Sequence, residues 1–398
     1  MTGLRPQGEP STLPRILSTN FLHLKTADEK SFLTVVKQTY LYRLPSTETD
    51  VTIDAIEITW SPLTQWIKTT QLRYDDNGDF KDDSLPCLES KDNPFRSAPS
   101  RALLNGYVKE HVFDRSLADA ALYMGSYGTV LQRGVADALC HALTDQSTDM
   151  TCVWPPPSDN DRTRYIFLTH SLGSRIIYDT LLGLQGHASS PSGNVFTDDE
   201  WGGSRPFVQR MMANTPVVYM MANQLALLGL ANEHPLVISQ DGPQPYARRF
   251  DMPWLKVPEG VFVELPKGQG ESDDLSMATC TNPLKAFGQA RAVAQEVLRQ
   301  TGEVKAGASP AQSLTVVAFN DTNDLLSWAI PEWYVRKIPG DPCMPDIKVT
   351  NVFVNNATRW LGLLEDPAAA HTGYFQNARV WDVIRCGADQ GVLLSCKF

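Results

Sequence analysis

One run of residues constrains this chain more than any other: YIFLTHSLGSRIIYDTLLGL, residues 165–184. The apolar stretch TRYIFLTH reads as a strand and LGSRIIYDTLLGL as a helix, with no linker between them. The backbone must therefore turn sharply at the tip, and Ser171 stands there. A serine at that place can cap the helix. It can also be presented, with its hydroxyl free, at the carboxyl edge of a sheet. Either way the segment is a strand–turn–helix unit, and such units build layered α/β folds.

The rest of the chain supports that class. Ile16–Leu24 reads as a short strand and VTIDAIEITW (51–60) as an alternating one, with Ile56, Ile58 and Trp60 on one face. SFLTVVKQTYLYRL (31–44) has helical spacing. Tyr127–Leu143 places Val130, Leu131, Val135, Ala138, Leu139 and Ala142 on one helical face. Buried strands are expected at the start of PVVYMMANQLALLGL, in SLTVVAF (313–319) and in IKVTNVFV (347–354). Strands alternating with helices predict a mainly parallel central sheet flanked by helices, in one domain over 15–390. Two stretches interrupt the alternation: a Gly/Ser/Pro-rich loop at 186–206 and a longer region at 234–310. The latter holds a helix from Leu284 to Leu298, with Leu284, Phe287, Val293, Val297 and Leu298 forming an apolar face. It is either a lid or a helix packed on the core. The acidic stretch at 75–94 is a poor calcium loop, because its Gly is misplaced and Pro86 stands where a closing Glu is needed.

Composition narrows the partners. The net charge is −10 and the pI about 5.2. Without a cluster of Lys and Arg, this disfavours nucleic acid. The longest apolar stretch, Val217–Ala231, is broken by Asn223 and Gln224 and is too short to span a bilayer. The N-terminus lacks the apolar core of a signal peptide, so a cytoplasmic location is the default unless a leader was removed or another export route is used. None of the seven cysteines forms a CxxC pair or has zinc-ligand spacing. Cys140 falls in a helical pattern and is expected in the core, while Cys343, Cys386 and Cys396 could include a disulfide. An odd count leaves at least one thiol without an intramolecular partner. No metal or organic cofactor is implied.

The chemistry sits at Thr169-His170-Ser171-Leu172-Gly173. This is the G-x-S-x-G turn of a nucleophilic serine, with the second glycine kept and Thr169 at the first. The Leu172 N–H, at a helix N-terminus, is placed to hold an oxyanion. A serine hydroxyl needs an adjacent base. Of the seven histidines only His371 follows every candidate acid, in the order Ser, acid, His that such turns use. It lies in EDPAAAHTGYFQN, read as a loop before the helical ARVWDVI. The acid should follow the preceding strand, where NDTNDLL offers Asp321 and Asp324. Asp324 precedes two leucines and is the favoured choice. Asp321 is the alternative, otherwise a turn or cap residue.

These segments, in this order, resemble the α/β-hydrolase superfamily, in particular its lipases and esterases, over about Ile16–Gly387. The resemblance implies a serine ester hydrolase acting through an acyl-enzyme on Ser171, with a small-molecule or lipid ester as substrate. The same residues could serve acyl transfer to an alcohol or amine, and a hydrolase-like protein that binds without turnover is the third possibility. Family members usually carry His-Gly at the end of an early strand, where a backbone N–H completes the oxyanion hole. Here His23 is followed by Leu24, so the expected donor is a backbone N–H near Leu24 or Lys25. Trp60-Ser61-Pro62 is a weaker alternative wall, read more simply as core plus turn.

Overall fold

The structure is a computed structural model. It describes residues 15–25, 31–43, 50–72, 102–146, 151–156, 163–186, 195–229, 282–301, 313–335, 345–360, 364–386, 388–389 and 392–393. The acidic stretch at 75–94, most of the 234–310 region, part of the 186–206 loop and Cys343 and Cys396 lie outside the described residues. By its internal contacts the chain divides into two compact units. One comprises residues 1–164, 176–214 and 359–369; the other comprises 165–175, 215–358 and 370–398.

The first unit is built on an antiparallel sheet in the order β1 (Arg15–Lys25), β2 (Ser31–Arg43) and β3 (Asp50–Thr59). The helical reading of 31–44 is thereby corrected. The stretch is rich in β-branched and aromatic residues, and Leu33, Val35 and Lys37 are buried at period two. The inward lysine hid the alternation from a hydrophobicity pattern. Its ammonium is matched by the Asp145 carboxylate at 2.8 and 2.9 Å, with Asp54 at 3.6 Å. α1 (Pro62–Gln71) and α4 (Tyr127–Thr144) pack on the sheet, and between them in sequence come α2 (Leu103–Val108), a π-helical segment (Lys109–Leu117) and α3 (Ala118–Met124). Ser61 begins the turn into α1, which has Pro62 at its first position, so Trp60-Ser61-Pro62 is a strand-to-helix turn. Gly134 lets α4 come close to its neighbours. A Cβ there would meet Leu33 at 2.9 Å and Leu63 at 3.0 Å. Cys140 is buried as expected, but it is disulfide-bonded to Cys152, a partner the sequence did not single out.

The second unit has an α/β arrangement: an all-parallel sheet in the order β4 (Ile166–His170), β5 (Val217–Met221), β6 (Leu314–Asp321) and β7 (Ile347–Val354). Helices cover both faces of it. On one face Tyr219, Met221, Val317, Phe319, Val352 and Val354 pack with Tyr374, Val380 and Val383, the last two from the helix Ala378–Cys386. The register puts Ile347 on the opposite face, level with Leu314. There it meets Gly288 of the helix Pro283–Gln300, where a Cβ would stand 2.7 Å from the Ile347 side chain. Burial on both faces is why β5 and β6 read as unbroken apolar runs.

The helix Pro283–Gln300 is also tied by Arg291, whose Nε donates to the Thr215 carbonyl at 2.7 Å. Its Leu284, Phe287, Ala290, Ala294 and Leu298 are buried, while Val293 is exposed. Of the two readings offered by the sequence, it is the packed helix. Its start is set by Asn282, whose side chain accepts the Leu284 and Lys285 N–H groups.

Candidate active site

Parallel strands end at the same edge, so the residues that follow β4, β5, β6 and β7 gather there. Ser171 follows β4, Asn223 and Gln224 follow β5, Asp324 follows β6 and Asn356 follows β7. Beyond it, Pro367–Thr372 forms a short helix that carries His371 near its end. The sequence reading had put His371 in a loop. The helix caps itself on Asp366, which accepts the Ala368 and Ala369 N–H groups.

Ser171 sits at φ +54°, a left-handed conformation that a residue with a side chain rarely adopts. Such strain costs about 1–3 kcal/mol and persists only where the surroundings impose it. Here the Ser171 N–H is held by the Met221 carbonyl at 2.8 Å, and helix α5 (Gly173–Leu184) begins two residues later. Thr169, in place of a glycine, is accommodated because its hydroxyl is satisfied. Its Oγ1 lies 2.8 Å from Ser174 Oγ and donates to the Tyr219 carbonyl at 3.2 Å.

Three of the expected residues meet. His371 Nε2 is 3.0 Å from Ser171 Oγ, and His371 Nδ1 lies 2.9 and 3.0 Å from the two Asp324 oxygens. Asp324 is buried, and its carboxylate also accepts the Leu326 N–H at 2.9 Å and the Tyr374 hydroxyl at 3.1 Å. A carboxylate so placed fixes the imidazole with its proton on Nδ1 and leaves Nε2 free to accept from the serine.

Asp321 does not touch His371. It ends β6, and its oxygens accept the Asn323 N–H at 2.9 Å and the Asn356 N–H at 2.6 Å. Asn356 in turn donates to the Ala370 carbonyl at 2.8 Å, so Asp321 braces the backbone beside the histidine. Gly373 allows that approach, since a Cβ there would stand 2.8 Å from Asn356 Cβ.

The expected oxyanion donors fare differently. Leu172 is at the turn, and its N–H has no partner among the described residues. Leu24 is not brought into this sheet. It lies within β1 of the antiparallel sheet, paired with Leu33, and among the described residues no strand before β4 joins the sheet that carries Ser171.

Residues that the sequence reading passed over complete the site. Gln224 Nε2 donates to Ser171 Oγ at 2.7 Å. Its signal was the polar pair Asn223-Gln224 breaking an apolar run directly after a strand. Tyr374 bridges the two aspartates, accepting the Asp321 N–H at 2.8 Å while donating to Asp324. Burial, then the Asp324 charge, push its pKa far up, so it stays a phenol. His170 Nε2 donates to the His371 carbonyl at 2.7 Å. Burial, then the neighbouring His371, lower the His170 pKa to about 4.

Compared with family models, curated proteins and solved structures, the chain gives no match. Among the described residues no group of His, Cys, Asp or Glu could hold a metal ion. None of the described helices is long and apolar enough to cross a membrane.

Proposed function

We propose that the chain is a serine hydrolase of the α/β-hydrolase type that cleaves carboxylic esters, as esterases and lipases do. The observation that carries the reading is the continuous hydrogen-bonded chain Asp324–His371–Ser171, ending on a strained serine at a sheet's carboxyl edge. His371 Nε2 takes the Ser171 proton as Oγ attacks the acyl carbonyl, and Asp324 stabilises the imidazolium without taking a proton itself. The Leu172 N–H donates to the oxyanion. His371 then protonates the leaving alcohol, and water releases the acyl group by the same steps. The Cys140–Cys152 bond supports an oxidising compartment as the setting, against the cytoplasmic default.

The test is reaction with a fluorophosphonate probe, with the adduct mapped by mass spectrometry. Stoichiometric adduct on Ser171 is expected, absent in Ser171→Ala and much slowed in His371→Ala. A folded protein left unlabelled, with and without detergent micelles, would overturn the reading in favour of a binding protein without turnover.

A further inference from the structure

Gln224 stands outside the Asp324–His371–Ser171 chain yet touches its reactive atom. Counting protons fixes how it does so. His371 Nδ1 faces two carboxylate oxygens and must carry the proton, so Nε2 is an acceptor and the Ser171 hydroxyl donates to it. Ser171 Oγ can then only accept from Gln224, which puts the amide nitrogen at 2.7 Å and leaves Oε1 pointing elsewhere. That Oε1 is buried with no hydrogen-bond partner among the described residues.

A buried carbonyl without a donor opposes folding. An apolar side chain of equal length would fill the same space without that penalty. Among the described residues the fold gives no reason for a glutamine here, and its N–H is the part that has a partner.

The side chain is also held in advance of any reaction. Gln224 is 1% exposed. The preceding Asn223 is clamped to Trp328 by two hydrogen bonds of 2.9 Å, and the Leu225 N–H returns to Asn223 Oδ1 at 3.0 Å. Ala222, one residue earlier, is at φ +52°. Donors fixed before the charge develops are the ones that stabilise it most.

We propose that Gln224 is the second oxyanion donor of the site, its side-chain N–H acting with the Leu172 backbone N–H in the role the sequence pattern assigned to Leu24. The proposal rests on the serine-hydrolase reading. As the Oγ–carbon bond forms, the serine proton passes to His371 Nε2 and the carbonyl π pair moves onto its oxygen. Oγ and that oxygen are now bonded to one carbon and lie closer together than a hydrogen bond is long. A donor seated on the first reaches the second by a small rotation. When the carbonyl re-forms, the leaving oxygen takes the proton from His371.

The test compares wild type with Gln224→Met and Gln224→Glu. It measures the rate of Ser171 labelling by the fluorophosphonate probe, kcat and KM on p-nitrophenyl butyrate, and the thermal midpoint. For Gln224→Met we expect labelling and kcat to fall about 10²–10³-fold and KM to move by less than about threefold. Its midpoint should be unchanged or raised, because the unpaired carbonyl is gone. Gln224→Glu should be slow near neutral pH, with its rate relative to wild type rising as the pH falls, since only the protonated carboxyl has a hydrogen to donate. A Gln224→Met protein that acylates within about threefold of wild type, or that slows only in proportion to lost folded protein, overturns the proposal. If wild type labels and Gln224→Met is undiminished, Gln224 alone loses its role. If wild type itself is not labelled on Ser171, the hydrolase reading and this assignment fall together.

Discussion

The two compact units contain buried polar sets that end differently. In the antiparallel unit two buried lysines close on carboxylates. Lys68 Nζ meets Asp119 Oδ1 at 2.8 Å, the Thr64 hydroxyl donates to that same oxygen at 2.7 Å, and both charged side chains are less than a tenth exposed. Lys37 is answered by the Asp145 carboxylate at 2.8 and 2.9 Å. In the parallel unit the buried chain runs from Asp324 through His371 and ends on a half-buried hydroxyl, beside Gln224, whose Oε1 has no partner among the described residues. A closed pair leaves neither charge alone, and removing one partner strands the other. A set that ends on a half-buried hydroxyl is, on the proposed reading, completed by the substrate.

The largest effect should come from the open end. On the proposed reading, Ser171→Ala should lower ester turnover by about 10⁶-fold, with the far-ultraviolet dichroism and thermal midpoint of wild type. Turnover that survives in this variant would break the contrast outright. The next effect separates two aspartates three residues apart. Asp324→Asn should cost about 10⁴-fold in kcat, because the amide reverses the imidazole tautomer. Asp321→Asn keeps an acceptor for a backbone N–H and should cost less than about tenfold in rate, with a loss of about 1–3 kcal/mol in urea unfolding. Equal kinetic losses from both variants would mean that Asp321 is part of the chain rather than its brace.

Those two aspartates also mark how far sequence could reach. The strand–serine–helix segment was legible because both flanks are apolar and the turn leaves so few ways for the chain to pass. β5 and the body of β6 were legible for a related reason, being apolar runs. What failed was pattern reading where a charge is buried: Lys37 interrupts the inward face of β2 and made a strand look helical. The Cys140–Cys152 pairing was hidden because spacing does not specify connectivity. Tyr374 was hidden because its role comes from the tight turn after the His371 helix, whereas Gln224 had a signal, the polar pair that breaks the apolar run after β5, that was read only as an interruption. Leu24 shows the converse error. A local match to a family pattern gave it a place in a sheet that β1 does not join.

A smaller effect sharpens the other side of the comparison. Removing one partner of a closed pair should damage the fold and spare the chemistry. Asp119→Ala leaves the Lys68 ammonium buried without its carboxylate, at a cost of about 3–5 kcal/mol in urea unfolding. Burial already raises the Asp119 pKa in spite of Lys68, so the pair is poorly solvated and cannot relax cheaply. Labelling of Ser171 per folded molecule should match wild type. A labelling defect larger than the loss of folded protein would mean that this pair serves the site.

The last prediction concerns His170, whose one proton belongs to the fold and not to the reaction. The folded protein holds its ring neutral: Nε2–H is given to the His371 carbonyl, and burial and the neighbouring His371 bring the pKa from 6.5 down to about 4. The unfolded chain takes up a proton as the pH passes 6.5, whereas the folded chain resists until about 4. The stability tied to the neutral ring is therefore complete above pH 6.5 and is lost progressively as the pH falls to about 4. The total is about 3 kcal/mol for a shift of this size. Carboxylates titrate over the same range, but they do so equally in wild type and in His170→Gln, so the difference between the two proteins isolates the histidine. In urea unfolding, the stability of wild type relative to His170→Gln should fall by about 3 kcal/mol between about pH 7.5 and pH 4. A gap that stays constant over that range would mean that His170 titrates alike in the folded and unfolded chain, and that the ring beside Ser171 is solvated rather than held.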